Sequence, residues 1–272
     1  MTFKNKLKSL SIKNNSLVCV GLASDIDKIP SHLITKKNPQ FEFNKAIIEA
    51  TSDLVCCYKL NMAFYEAANI AGILELKLTM KFLTDNYPAI PIIIDAKRAD
   101  IGNTNKGYAK FLFEFLEADA ITVNPYFGKE ALMPFFEYKE KGIFVVCKTS
   151  NPGAGEFQDL KSSGKPLFWH VAEHTAENWN YNNNCGIVVG ASYPGELEIV
   201  RRIVDDLPIL IPGIGIQGAD IEKTVKAGID SHGLNAIINS SRAIIFAGSG
   251  HDFAKKSRVV TQKLRDQIKK YK

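Results

Sequence analysis

The feature that most constrains this chain is a repeated alternation of two kinds of segment. Short apolar runs, rich in β-branched residues and lacking polar alternation, occupy residues 17–22, 54–60, 91–97, 119–124, 142–149, 185–191, 208–212 and 234–239. Strands of a parallel sheet are buried on both faces, and this is the pattern they require. Between them, residues 42–52, 63–86, 105–116, 129–141, 167–179, 195–206, 219–227 and 252–271 carry helical periodicity. Successive strand–helix units predict a parallel sheet with helices outside it. About eight such units in roughly 250 residues predict an α/β fold of the closed (β/α)8 barrel type. No composition break interrupts the 272 residues, so one barrel domain over 1–272 is expected. An open doubly wound sheet is the alternative. Two long loops, 23–41 and 150–166, follow strand ends, where barrels build their active sites.

Composition narrows the function classes. With 46% hydrophobic and 23% charged residues, the chain can bury a substantial core. No apolar run approaches the ~20 residues of a membrane span, and the N-terminal Met-Thr-Phe-Lys-Asn-Lys-Leu-Lys is not a secretory signal. Four of the five cysteines sit in apolar runs, and none forms a C-x-x-C pair. They read as buried free thiols of a reducing compartment, so a soluble cytoplasmic protein is expected. A net charge of +5 fits anionic ligands only weakly. The basic C-terminal segment has too few aromatics for a nucleic-acid surface, and neither a nucleic-acid nor a membrane partner is expected. His170 and His174 are four residues apart but lack the Glu of H-E-x-x-H, so no metal site is expected.

The chemistry concentrates on the third strand, Ile92-Ile-Ile-Asp95-Ala-Lys97-Arg98-Ala99-Asp100. Alternation puts Asp95 and Lys97 on one face with Ile93 below them, while Ile92 and Ile94 face the helices. Two charges thus point at the barrel axis from a strand's C-terminal end, and Asp100 follows in the loop. Charges converging there are costly to desolvate unless they pair. A purely structural ion pair, with Asp100 as a helix cap, is the competing explanation. Lys59 ends the second strand, and if it faces inward the order Lys59, Asp95, Lys97, Asp100 alternates in sign. Such an array offers a fixed ammonium and a fixed carboxylate to a substrate. Near the C-terminus, Pro212-Gly213-Ile-Gly215-Ile-Gln217-Gly follows the seventh strand, and Asn239-Ser240-Ser241-Arg242 ends the eighth. Glycines let backbone N–H groups approach an anion, Arg242 adds a charged fork, and these two loops are the recurrent phosphate site of barrels.

Asp95-Ala-Lys97-Arg-Ala-Asp100-Ile101-Gly-Asn-Thr104 resembles the D-x-K-x-x-D-I signature of the orotidine 5′-phosphate decarboxylases. Phe41-Glu-Phe-Asn44, Tyr58-Lys59-Leu-Asn61-Met-Ala-Phe64-Tyr-Glu66, Thr122-Val-Asn-Pro125-Tyr126 and the two C-terminal motifs above look like the longer bacterial branch of that family. The resemblance implies decarboxylation of orotidine 5′-phosphate to UMP with no metal or organic cofactor. Lys59, Asp95, Lys97 and Asp100 match the family's charge tetrad. It also implies a homodimer, with Asp100 and Thr104 reaching the neighbouring subunit's site. Ser150 matches a pyrimidine contact, and Gln217 and Arg242 match phosphate ligands. Ile101, Pro212 and Ser241 fall within the same substrate-binding motifs.

Two positions depart from the family pattern. Ala23 stands where an Asp usually contacts the ribose and the first lysine; Asp25 is the candidate substitute. Ala99 stands where Gly is common. Two rival functions follow. One is a magnesium-dependent sugar-phosphate lyase of the same barrel group, which uses a similar Asp-x-Lys-x-x-Asp run. The other is a catalytically weakened UMP-binding scaffold.

Overall fold

The computed structural model describes residues 1–215 and 220–272. Eight parallel strands close into a barrel: β1 Val18–Leu22, β2 Cys57–Asn61, β3 Ile92–Arg98, β4 Ala120–Val123, β5 Gly142–Lys148, β6 Cys185–Val189, β7 Ile209–Pro212 and β8 Ala236–Ser240. Each pairs with its neighbours in sequence, and β1 closes on β8 through Val18 opposite Ile238 and Cys19 opposite Asn239. The expected (β/α)8 barrel is therefore the fold.

Strand alternation divides the core in two. Outward residues, among them Val20, Tyr58, Ile92, Ile94 and Ile238, pack against the helices. Inward residues Cys19, Cys57, Ile93, Ala120, Phe144, Val188, Leu210 and Ile237 fill the barrel. The helix Phe3–Lys13, which the alternation did not announce, seals the barrel's base. Its Phe3 ring meets Phe144 edge-on at 5.5 Å, and Leu7 joins the same cluster. With the floor filled by apolar side chains, only the C-terminal ends of the strands can present polar groups inward.

Several boundaries differ from expectation. The second strand begins at Cys57 rather than 54, because Leu54, Val55 and Cys56 are buried in the preceding turn, with Cys56 N–H bonded to Val18 O at 2.7 Å. The stretch 63–86 is two helices, Met62–Glu66 and Asn69–Asn86, broken where Asn69 takes φ 58°; asparagine tolerates that conformation better than most residues. The stretch 129–141 is helical only over Gly128–Phe136. Loop 150–166 is not structureless: it holds the helix Gly155–Gln158 and a two-residue hairpin pairing Lys161–Ser162 with Lys165–Pro166. At the opposite end of the barrel, buried Arg201 donates to the carbonyls of Gly228, Leu207 and Asn235 at 2.7–2.9 Å and to that of Asp205, tying together the two connections that lead into β7 and β8.

Candidate active site

Inward alternation carries past the apolar floor to a polar layer at the barrel mouth. In that layer Gly21 pairs with Lys59, and Asn61 with Asp95. Lys59 is almost wholly buried, and its Nζ donates to Asp95 Oδ2 at 2.9 Å. Lys97 Nζ donates to the other oxygen, Oδ1, at 2.6 Å, from a side chain that is half exposed. Burial by itself raises the pKa of Asp95, but the ammonium groups of Lys59 and Lys97 outweigh it and hold the carboxyl well below the usual carboxylate range. Asp95 is thus an anion clamped between one buried cation and one that faces solvent. Ile93 lies inside the barrel and Asp95 above it at the cavity, as alternation predicts, whereas Lys97 departs from regular alternation and reaches Asp95 from a bulge at φ 47°.

A cavity of about 300 Å³ opens over this pair. Ala23, Lys59, Asn61, Asp95, Ser150, Pro212, Gly213, Asn239, Ser241 and Arg242 are among the residues lining it. Gly21 makes room for its far wall: a Cβ there would lie 1.8 Å from Ser241 Oγ. Asn239 is held by its own Nδ2–H donating to Cys19 O at 3.2 Å. The loop after β7 turns through Gly213 at φ 111° and Gly215 at φ 116°, conformations that a side chain disfavours. Gly213 lines the same cavity as Arg242, which starts the short helix Arg242–Ile245. The cavity therefore carries on its walls both a cation with adjacent glycine backbone, Arg242 and Gly213, and the Lys59–Asp95 pair.

The remaining sequence-derived residues are distributed unevenly. Asp100 forms no ion pair among the described residues; its Oδ1 accepts from Ile101 N–H at 2.6 Å. Ile101 and Thr104 are exposed beside it. Gln217 lies outside the described residues. Asp25 is not brought to Lys59. It accepts from Lys28 Nζ at 2.7 Å and from Asp27 N–H, capping the single turn Ile26–Lys28, and Lys28 lowers its pKa. The lining position on that loop belongs to Ala23, and the carboxylate partner of Lys59 is Asp95.

Three participants were missed by sequence reasoning. Thr122 Oγ1 lies 2.9 Å from Asp95 Oδ1. Asn239, at the end of β8, lines the cavity. Lys148 is fully buried at the end of β5, paired with Asp159 and lying over the Tyr193 ring at 4.8 Å. Together with Gln158, whose Oε1 accepts from Thr149 N–H at 2.9 Å, it fastens the 150–166 segment beside the mouth. A lysine at the end of an apolar strand was the available signal for Lys148. His170 bonds the Ser162 carbonyl and His174 stacks on Trp179; among the described residues no group of three or more His, Cys, Asp or Glu is placed to hold a metal ion.

Fold and site together define a (β/α)8-barrel enzyme of the kind that builds a charged site and an anion-binding end from its strand-end loops. Comparison with known proteins makes this specific. The family model described as the Orotidine 5′-phosphate decarboxylase / HUMPS family matches residues 20–256, and the chain belongs to that family. A curated relative from Cellvibrio japonicus, named orotidine 5′-phosphate decarboxylase, is 46% identical over 270 residues, covering 98% of both chains. One of the same name from Ralstonia nicotianae is 45% identical over the full length of both. That name denotes a carboxy-lyase, in keeping with the enzyme class expected from the motifs. Among solved structures, Leishmania donovani OMP decarboxylase superposes with a TM-score of 0.84 at 34% identity, covering 99% of each chain. Leishmania donovani UMP synthase gives 0.89 at 34% identity, with this chain spanning 56% of that longer one.

Proposed function

We propose that this chain, as one barrel domain over residues 1–272, decarboxylates orotidine 5′-phosphate to UMP. In this reading it is a cytoplasmic enzyme of pyrimidine nucleotide synthesis and uses neither metal nor organic cofactor. The observation that carries the reading is the Asp95 carboxylate held by Lys59 on one oxygen and Lys97 on the other, in a cavity that Arg242 also lines.

The chemistry follows from the charges. Cleavage of the bond between C6 and the carboxylate releases CO2 and leaves its electron pair on C6, with no covalent sink to accept it. Lys97 Nζ stabilises that developing charge and donates a proton to form the C6–H bond; the resulting neutral amine regains a proton from solvent. Asp95 keeps the ammonium aimed and stands against the departing carboxylate. Because the pair is already assembled, little reorganisation is needed as charge develops. Ser150 contacts the pyrimidine, while Arg242, Ser241, Pro212 and Gln217 serve the phosphate end. Binding energy from that remote end can be spent on enclosing the ring.

The reading includes a homodimer with shared sites, in which Asp100, Ile101 and Thr104 act in the partner's cavity. Ile101 is 61% exposed, Tyr126 is 83% exposed and Phe127 is 51% exposed, on the neighbouring loops after β3 and β4. Asp100 has no cationic partner within its own chain among the described residues. Both features support that arrangement.

One assay tests the proposal: the fall in orotidine 5′-phosphate absorbance catalysed by the purified protein, with and without EDTA. EDTA-insensitive turnover is expected. Turnover of a sugar phosphate that depends on magnesium would replace this reading with a barrel lyase. Binding of UMP without turnover would make the chain a weakened scaffold.

A further inference from the structure

We infer that Thr122 is the positioning residue of the catalytic pair, holding the Asp95 carboxylate and the Lys97 backbone with one hydroxyl. The inference rests on the proposed decarboxylation for its kinetic consequence, and on geometry alone for its structural one.

Strand β3 pairs regularly with β4 up to Ile94 opposite Ile121, and the register resumes only at Arg98 opposite Val123. Asp95, Ala96 and Lys97 therefore stand against the single residue Thr122. Inside this bulge Lys97 takes φ 47°, the left-handed region, which is strained for a side-chain-bearing residue. A bulge also costs ladder hydrogen bonds, and a half-buried N–H without a partner is unfavourable. The Lys97 N–H finds its partner in Thr122 Oγ1 at 2.9 Å.

A threonine hydroxyl has one proton. Since Oγ1 accepts from Lys97 N–H, that proton is free for the 2.9 Å contact to Asp95 Oδ1. The same Oδ1 accepts from Lys97 Nζ at 2.6 Å. The result is a closed loop: hydroxyl to carboxylate, ammonium to carboxylate, backbone N–H to hydroxyl. Thr122 itself is buried, so its rotamer is set by packing. Released from the hydroxyl, Lys97 would relax toward ordinary φ and its ammonium would swing off the line it now holds. Thr122 touches no reacting atom in this scheme; it acts through Asp95 and Lys97.

The test uses Thr122→Val, which keeps the shape and removes the hydroxyl, and Thr122→Ser, which restores it. The kinetic arm expects Thr122→Val to lose about 10- to 100-fold in kcat with KM within about threefold, and Thr122→Ser to recover to within about threefold of the parent. A merely structural role would lower Tm without this split or rescue. The crystallographic arm expects Lys97 in Thr122→Val to leave positive φ and its Nζ to move beyond hydrogen-bond distance of Asp95 Oδ1. Unchanged kcat in Thr122→Val, or an unchanged Lys97 conformation, overturns the inference. If the parent itself fails to turn over orotidine 5′-phosphate, the functional reading falls and the crystallographic arm alone decides the role of Thr122.

Discussion

Lys97 and Asp95 lie two residues apart on one strand, yet their side chains close an ion pair of 2.6 Å between Nζ and Oδ1. A flat strand would carry i and i+2 side chains in parallel. The pair closes because Lys97 sits at φ 47° inside a bulge, which turns its ammonium back toward the carboxylate.

Replacing that ammonium should separate chemistry from binding. Lys97→Ala is expected to retain UMP affinity, measured by calorimetry, and to lose at least about 10³-fold in turnover, the scale of a lost general acid. Near-normal turnover would remove Lys97 as proton donor.

Asp95 makes a prediction about pH. Its pKa in the folded chain lies below the unfolded value of about 3.9. A depressed carboxylate pKa contributes stability that is fully present above the unfolded value and is lost as pH falls through the folded one. Urea midpoints of the parent and Asp95→Asn should therefore differ by a constant amount between pH 6 and 8, and converge as pH falls below about 4. A gap that widens toward acid would contradict the clamp.

Shared sites can be tested by mixing. In a hybrid of Lys97→Ala and Asp100→Ala subunits, one site carries both lesions and the other carries neither. Refolding an equal mixture of the two inactive proteins should restore roughly a quarter of parental activity by random pairing in a twofold dimer. No recovery, with hybrids demonstrated by mass spectrometry, would confine each site to one chain.

Arg201 and Phe3 should matter to stability and not to chemistry. Arg201→Leu strands several carbonyls that the guanidinium now satisfies, a loss of about 3 kcal/mol or more. Phe3→Ala empties the base of the barrel and should cost about 3–5 kcal/mol. Both are read from denaturant midpoints, with turnover per folded molecule unchanged in each.

Periodicity alone sufficed for the barrel, because strands buried on both faces leave continuous apolar runs set between amphipathic helical stretches. The alternation of side chains along any strand points Asp95 inward, and Lys59 with it once the second strand has the same orientation; both line the cavity. Boundaries were less legible: Leu54 to Cys56 are as apolar as a strand and as buried, yet lie outside β2, since burial and ladder pairing are different demands. Asp25 was a reasonable substitute for a carboxylate near Lys59 on spacing, but a local cap with Lys28 satisfies it first.

The sequence by itself determined the architecture and the family, and pointed to Lys59, Asp95 and Lys97, since these depend on residue type and local order. Only the tertiary structure decided how the charges are joined. Thr122 belongs to β4, Asn239 to β8 and Lys148 to β5, and none is near Asp95 along the chain. Their roles arise from strand register and from a bulge of β3 against β4, which are properties of paired strands and are written in no single segment.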